Sequence, residues 1–290
     1  MQKLLRNNPS RCSDPIPGFW LGLQSKQLHA SITEKQAHMP GNKTTHAARV
    51  AGKNGFSLIP DDKFREMYAA LLRCSMLDTQ LRPRADYTPW TGCRAGTAGV
   101  VTCLRAGDAV TPTPRGALAG YLHHGKLDLQ ANDAASGAVS QLATATGDAL
   151  RHKLENRGSV AVVFTTLAEP RAMRSVFSAA AQQSLPVLYI LEGGTPSADV
   201  CGRIPVMRVD AADTVAVYRV AYESIHRARE GGGPTILECA PWPGDEDAEP
   251  LARLEHYLAA KKLFRRDWKQ RLEKKYAHAT GEAVARFLRK

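Results

Sequence analysis

Three polar stretches that follow predicted buried strands hold most of the side chains that could do chemistry. They are Thr165–Glu169, Glu192–Thr195 and Asp210–Asp213. In a parallel sheet the carboxyl ends of the strands meet at one edge, where helix N-termini present free N–H groups to anions. The chemistry expected at this edge is therefore the binding of a phosphate-bearing ligand.

The first of these stretches has the position of a phosphate site but not its residues. The run "GSVAVVFTTLAEPRAMRSV", residues 158–176, predicts a buried strand that leads directly into a helix. At the junction, Thr165, Thr166 and Leu167 provide no glycine, no carboxylate and no basic residue. A phosphate needs close backbone N–H donors and cations, which this junction does not offer.

The elements that must position these stretches alternate along the chain. Apolar runs without polar alternation predict strands that are buried on both faces. Because helical stretches separate the runs, the pattern predicts βαβ units and an α/β fold with a doubly wound, mostly parallel sheet. The predicted strands are 109–113, 159–164, 185–191, 204–210 and 234–240, and the predicted helices between them lie near 134–156, 168–183 and 212–230.

Two further helices are predicted before the first strand. Pro60, Asp61 and Asp62 are typical of a helix N-terminus, and a second helix within 95–107 is expected to end at Gly107. The first helix carries a buried stripe of Phe64, Met67, Tyr68, Leu71 and Leu72, continued by Ser75 and Met76.

The charge divides the chain into three parts: a polar basic N-terminal arm (1–58), an α/β domain (59–250) and two basic amphipathic C-terminal helices (251–290). Residues 1–57 carry 8 Lys and Arg against 2 Asp and Glu, and residues 251–290 carry 12 against 4. The remaining residues carry 19 against 22, so the net charge of +11 comes from the ends. Aromatic residues are not interleaved with these cations, and we favour a solvated helical face over a nucleic-acid partner.

The cysteines and the hydropathy pattern indicate an intracellular protein. The six cysteines are far apart and form no C-x-x-C pair, which is typical of reduced thiols; Cys239 is predicted to be a core residue. No apolar run reaches the roughly 18 residues of a membrane helix, and residues 1–13 lack the apolar region of a secretory signal. We expect a cytoplasmic location and no membrane contact; an organelle presequence is the alternative.

The remaining polar candidates each have a structural interpretation. His123 and His124 lie side by side without other metal-binding residues nearby, and we interpret them as surface or helix-end residues. Asp210 and Asp213 are predicted to cap the following helix. Glu192 could provide a hydrogen bond at the site or cap the backbone of its own loop, and both interpretations stay open.

Four segments in order resemble the alpha subunit of the thiamine-diphosphate-dependent decarboxylase component of 2-oxo acid dehydrogenase complexes, of the pyruvate and branched-chain types. The most specific is "RVDAADTVAVY" followed by "GPTILE", and the resemblance covers most of residues 60–275. It implies a thiamine-diphosphate-binding fold and a beta-type partner subunit, with the cofactor at their interface. The implied reaction is decarboxylation of a 2-oxo acid with acyl transfer to a lipoyl group.

The chain departs from this family at the residues that the resemblance assigns to the cofactor. In the family the strand near 160–164 ends in Gly-Asp-Gly, whose aspartate ligates Mg²⁺, whereas residues 165–167 here are Thr-Thr-Leu. A pair of asparagines that supplies a second ligand is replaced within 192–196. A Gln-Glu pair has become Cys93-Arg94, and a Tyr-Arg pair that contacts the diphosphate survives only as Pro114-Arg115. Three segments of the family are also shortened here: a glycine-rich region, the active-site loop and a histidine-bearing loop.

We therefore expect a degenerate homologue that keeps the fold and lacks independent catalysis, acting as a structural or regulatory subunit. Arg115, Thr166 and Glu192 mark the vestigial cofactor-binding positions, and no catalytic or metal-ligating residue is assigned. Arg115 could grip an anion or make a surface ion pair. The family implies thiamine diphosphate and Mg²⁺, which we expect this chain alone not to bind.

The expected partners are a second copy of the chain or a beta-type dehydrogenase subunit, with a lipoyl-bearing acyltransferase core as a further candidate. Two alternatives stay open. The chain could be a working alpha subunit whose site is completed by a beta subunit, or a binding protein whose basic ends contact an acidic partner.

Overall fold

The structure is a computed structural model that describes residues 59–83, 93–127, 137–167, 169–241 and 249–289. The predicted N-terminal arm lies outside the described residues. The start of the helix predicted near 134–156 and most of the predicted loop after Ala240 also lie outside them.

Five described strands form one parallel sheet in the order β1-β2-β3-β5-β4, which confirms the predicted α/β class. The strands are β1 (Ala109–Val110), β2 (Ala161–Thr166), β3 (Val187–Glu192), β4 (Val206–Asp210) and β5 (Thr235–Ala240). The helices are α1 (Asp61–Leu81), α2 (Cys93–Val101), α3 (Ala117–His124), α4 (Ala138–Leu154), α5 (Pro170–Gln182), α6 (Ala198–Cys201), α7 (Thr214–Arg229), α8 (Pro250–Ala260) and α9 (Arg266–Leu288).

Helices cover both faces of the sheet because alternate strand residues point to opposite sides. Val162 and Phe164 of β2 join a core cluster with residues of α2 and α7. Ala161 and Val163 join a second cluster with residues of α4 and α5. The doubly wound arrangement predicted from the sequence is therefore confirmed.

A buried ion pair fastens the amino edge of the sheet. Asp108, immediately before β1, accepts two hydrogen bonds from Arg229 of α7, at 2.9 and 2.5 Å. The same carboxylate accepts the backbone N–H groups of Val160 at 3.0 Å and of Arg105 at 2.7 Å. The Asp108 side chain is fully buried, and that of Arg229 is 10% exposed. These four bonds tie β1, the start of β2 and the end of α7 together.

The N-terminus of α1 is confirmed, and its stripe needs one correction. Pro60 is the N-cap, with Asp61 and Asp62 in the first turn. The predicted apolar residues from Phe64 to Leu72 are buried. Ser75 and Met76 are only partly buried, however, and the stripe continues instead through Cys74, Leu77 and Leu81. The buried face follows the contacts that α1 makes with α2, α8 and α9.

The end of α2 and the burial of β4 were predicted incorrectly. Helix α2 ends at Val101 instead of Gly107. Beyond its end, the Cys103 and Leu104 amides bond to carbonyls three residues back instead of four. Strand β4 is exposed over Val206, Met207 and Arg208 although its apolar run predicted burial on both faces. It lies at the edge of the sheet, where neighbouring elements cover less of its surface.

The last two described elements are helices, as predicted, and both contact α1. Their basic charge is unequal: residues 251–260 carry 1 basic and 1 acidic residue, whereas residues 261–290 carry 11 basic and 3 acidic residues. Thr280 and Val284 lie on the buried side of α9, and the other side of the helix faces solvent. The basic region is therefore α9 and its flanking residues, while α8 is nearly neutral.

No helix among the described residues combines the length and the apolar character that crossing a membrane requires.

Candidate functional site

The carboxyl edge of the sheet brings two of the three predicted stretches together. Thr166 at the end of β2 and Glu192 at the end of β3 are direct partners in the parallel register. Asp210, at the end of β4, is paired with Ala240 on the far side of β5. The predicted site is therefore divided, with the β1–β2–β3 side separated from the β4 side by β5.

Arg115 reaches this edge from the turn that follows β1. Its Nη1 atom lies 3.5 Å from Oε2 of Glu192, and the side chains are 39% and 6% exposed respectively. Thr113 fixes the turn, since its hydroxyl donates to the Phe164 carbonyl at 2.7 Å and accepts the Gly116 N–H at 2.8 Å. The guanidinium that could grip an anion is thus directed at a carboxylate of the same chain.

The junction after β2 is closed by an aliphatic side chain. A Cβ atom on Gly194 would lie 3.3 Å from Cδ2 of Leu167, so the leucine rests against the turn that follows β3. Gly193 and Gly194 have φ angles of +73° and +118°, which only glycine adopts easily. Beside the junction, the Thr165 hydroxyl donates to Oε1 of Gln141 on α4 at 2.8 Å. The Thr165 hydroxyl therefore bonds within the chain, and an apolar side chain lies beside it at the junction.

The short connection after β3 is held down by a buried carboxylate. The Thr195 hydroxyl donates to Oε1 of Glu238 at 2.7 Å, and Arg208 Nε lies 3.5 Å from the same oxygen. Burial, together with Glu192 and Glu238, raises the pKa of the neighbouring Cys239 thiol. Cys239 is thus an unreactive core residue, as predicted.

On the far side of β5, Asp213 is confirmed as a helix cap, whereas Asp210 holds the turn before the helix instead of capping it. Asp213 is the N-cap of α7, and its Oδ1 accepts the N–H groups of Val215 and Ala216, both at 2.9 Å. Asp210 accepts the N–H of Ala212 at 2.9 Å. Arg253 of α8 donates to Asp210 at 2.7 Å, which further commits this carboxylate to structure.

The paired histidines lie at a helix end, as predicted. His123 and His124 are the last residues of α3, and Nε2 of His123 lies 3.1 Å from the Asp108 carbonyl. Burial and the neighbouring His123 lower the pKa of His124. In the part of the chain that the structure describes, no three His, Cys, Asp or Glu side chains form a potential metal site.

Arg94, recognised from the sequence only as a departure from the family, is a buried connector. Its Nη1 donates to the Ser75 hydroxyl at 3.2 Å, and its Nη2 donates to Glu249 at 2.7 Å. It thereby links α1, α2 and the start of α8. The sequence signal for this contact was weak, because 155 residues separate Arg94 from Glu249.

Comparisons with known proteins identify relatives of this chain. Residues 194–242 match the family model described as "Dehydrogenase E1 component". The chain is similar to the alpha subunit of acetoin:2,6-dichlorophenolindophenol oxidoreductase from Bacillus subtilis (29% identity over 198 residues; 52% of this chain and 59% of that protein). It is also similar to the 3-methyl-2-oxobutanoate dehydrogenase subunit alpha of Mycobacterium tuberculosis (24% identity over 277 residues; 74% of each chain).

Over part of its length the chain is similar to dehydrogenase E1 components and to alpha subunits of such dehydrogenases. Its parallel α/β sheet is consistent with the E1 alpha fold. This E1 alpha homologue spans only 59% of the length of the Bacillus subtilis relative. The family resemblance is thus established at low identity and over part of the relatives' length.

The resemblance implies thiamine diphosphate and Mg²⁺, and the described residues of this chain do not fit a magnesium diphosphate at the β2–β3 edge. Leu167 packs where the backbone would have to remain open, and Arg115 faces Glu192. The junction 165–167 provides no carboxylate for a divalent cation. No reaction step through the cofactor is therefore assigned to these residues.

Proposed function

We propose that this E1 alpha homologue is a structural or regulatory subunit that lacks independent thiamine-diphosphate catalysis. The observation that carries the proposal is the contact between Leu167 and Gly194, which closes the junction where the family resemblance places the cofactor's metal ligand. The core around it is well packed, because β2 and β3 are buried along almost their whole length. A well-packed sheet, together with a junction that Leu167 occupies, supports a role in assembly instead of catalysis. The proposed location is cytoplasmic.

The test is a thermal-shift titration of the full chain with thiamine diphosphate and Mg²⁺. A ligand that binds only the folded state must raise the melting temperature with increasing concentration. We expect no saturable shift for the natural chain. A saturable shift at micromolar cofactor would contradict the proposal.

A rebuilt junction serves as the matched control. Thr166→Asp restores a carboxylate while Leu167 remains, and the double variant Thr166→Asp/Leu167→Gly also removes the side chain. If Leu167 closes the site, the double variant gains more cofactor-dependent stabilisation than the single variant. Equal responses of the two variants would show that Leu167 is not the obstacle.

A second candidate function is that of a working alpha subunit whose site a beta-type subunit completes. The position of Arg115 favours it, because its guanidinium is paired with Glu192 at the β2–β3 edge, the edge where ligands bind in parallel sheets. The chain would be mixed with a beta-type subunit, and release of CO₂ from 2-oxo acids would be measured. Absence of turnover in a well-formed complex would count against this candidate.

A third candidate is a binding protein whose basic region contacts an acidic partner, such as a lipoyl-bearing acyltransferase core. The solvent side of α9 supports it, because Arg271, Lys274, Lys275 and Arg289 are exposed along the helix. Binding through these charges must weaken with salt. If binding to the acyltransferase core does not change between low and high salt, the basic region is not the contact.

A further inference from the structure

The outer edge of β4 is open among the described strands. It pairs only with β5, and Val206 and Met207 are 37% and 45% exposed. The Pro205 carbonyl and the Ala211 amide both bond to β5. Because backbone groups alternate in direction along a strand, the N–H and C=O groups of Val206 and Arg208 point away from β5. An edge with free backbone groups and exposed apolar side chains is suited to pairing with another strand.

A groove beside this edge extends the apolar surface. It has a volume of about 610 Å³ and lies between β4 and α7, lined among others by Pro205, Met207 and Val220. Arg219 and Glu223, one turn apart on α7, place opposite charges on the same groove. In a two-fold arrangement this surface faces its own copy, and because it carries both charges, neither a purely cationic nor a purely anionic face is opposed to itself.

We propose that β4 pairs with β4 of a second copy of this chain in an antiparallel arrangement centred on Met207. In this register Val206 lies opposite Arg208 of the other copy, and their outward N–H and C=O groups form the hydrogen-bonded pairs. The two Met207 side chains meet at the mouths of their grooves. The two five-stranded sheets become one continuous sheet.

The charge of Arg208 favours the register centred on Met207 over the register centred on Arg208. Centring the pair on Arg208 would place two guanidinium groups directly opposite each other, which is unfavourable. Centring it on Met207 places the aliphatic part of each Arg208 against Val206. Arg208 Nε already lies 3.5 Å from Glu238 of its own chain, so the charged end is compensated. The Met207 register therefore buries both exposed apolar side chains without opposing like charges.

The inference rests on the homo-oligomer expected for the proposed structural role, and it is independent of cofactor binding. One strand edge buries less than the roughly 1,600 Å² of a standard interface. We therefore expect a reversible dimer in sedimentation experiments on the full chain. Failure of this dimer would leave the cofactor titration unaffected, so the two proposals fail separately.

Cysteine cross-linking tests the register. Met207→Cys places two thiols directly opposite each other, with Cα atoms about 4.5 Å apart, within the range for a disulfide. Val206→Cys is the matched control, because the two Val206 positions are diagonal neighbours at about 7 to 8 Å. We expect a covalent dimer for Met207→Cys, well above the level of the natural chain, and little for Val206→Cys. Equal cross-linking of the two variants would overturn the register.

Charge exchange at Met207 tests the identity of the occupant. Met207→Lys and Met207→Glu each oppose like charges across the two-fold axis, and we expect each to weaken the dimer at least about tenfold. An equimolar mixture of the two variants is expected to restore it, with Met207→Leu as the control that retains dimerisation. A natural chain that stays monomeric at its highest soluble concentration would overturn the proposal. So would an unchanged dimer in Met207→Lys, or an edge that binds only an extended segment of another protein.

Discussion

The two edges of the sheet are built in different ways. At the amino edge, the buried carboxylate of Asp108 receives four hydrogen bonds that connect β1, β2 and α7. At the carboxyl edge, the corresponding space is closed by the aliphatic side chain of Leu167 and by a half-exposed ion pair of Arg115 and Glu192. The difference teaches that the buried charges at the amino edge serve stability, whereas an apolar side chain and a partly exposed ion pair occupy the edge where ligands bind in such folds.

The largest effect is expected from breaking the amino edge. Asp108→Ala leaves Arg229 and two backbone N–H groups without their acceptor, and we expect a loss of about 3 to 5 kcal/mol in the free energy of unfolding. Urea unfolding measures it. The control is Asp199→Ala, which removes an exposed pair with Arg174 and should leave the midpoint nearly unchanged. A similar small change for both variants would contradict the assigned role of the amino edge.

A smaller effect is expected from opening the carboxyl edge. Leu167→Ala removes the packing against Gly194, and because the leucine is only partly buried we expect a loss of about 1 to 2 kcal/mol. Leu154→Ala is the control, since Leu154 is exposed at the end of α4 and should change stability by less than about 0.5 kcal/mol. Equal effects in urea unfolding would mean that Leu167 does not close the junction.

The ion pair at the carboxyl edge is expected to contribute less than the pair at the amino edge. Arg115→Ala and Glu192→Gln, measured singly and together by urea unfolding, form a double-mutant cycle that isolates their coupling. Because solvent screens the half-exposed guanidinium, we expect a coupling of about 1 kcal/mol or less. A coupling as large as the Asp108 effect would remove the contrast between the two edges.

The smallest effect is expected from pH and concerns His152 at the end of α4. The ring is buried, and neither nitrogen has a hydrogen-bond partner among the described residues. Burial and the nearby Arg151 lower its pKa from the usual value near 6.5, although Asp148 and Asp108 oppose the shift. The unfolded chain therefore takes up a proton more readily, and stability falls as the pH drops below about 6.5.

His152→Leu checks this contribution. The variant should lose less stability than the natural chain between pH 7.5 and a mildly acidic pH, measured by urea unfolding. An identical pH dependence in both proteins would show that His152 does not contribute to acid sensitivity.

Local sequence patterns predicted the elements correctly wherever one element alone decides the outcome. Pro60, Asp61 and Asp62 begin α1, and Asp213 caps α7, because helix ends are satisfied by residues within one turn. The strand at 159–164 and the helix near 168–183 follow from periodicity. The predicted end of α2 was wrong because the chain leaves the helix after Val101 through three-residue turns, which the position of Gly107 does not reveal.

The sequence by itself determined the α/β class and the alternation of strands and helices that makes the sheet parallel. It also determined that residues 165–167 contain no carboxylate. These features depend on composition and local pattern. Only the tertiary structure decided that Leu167 rests on Gly194, that Arg115 faces Glu192 and that Arg94 connects α1 to α8. Each of these contacts joins residues far apart in the chain, and periodicity carries no information about such pairs. The exposure of β4 was decided in the same way, because only its place at the edge of the sheet uncovers Val206 and Met207.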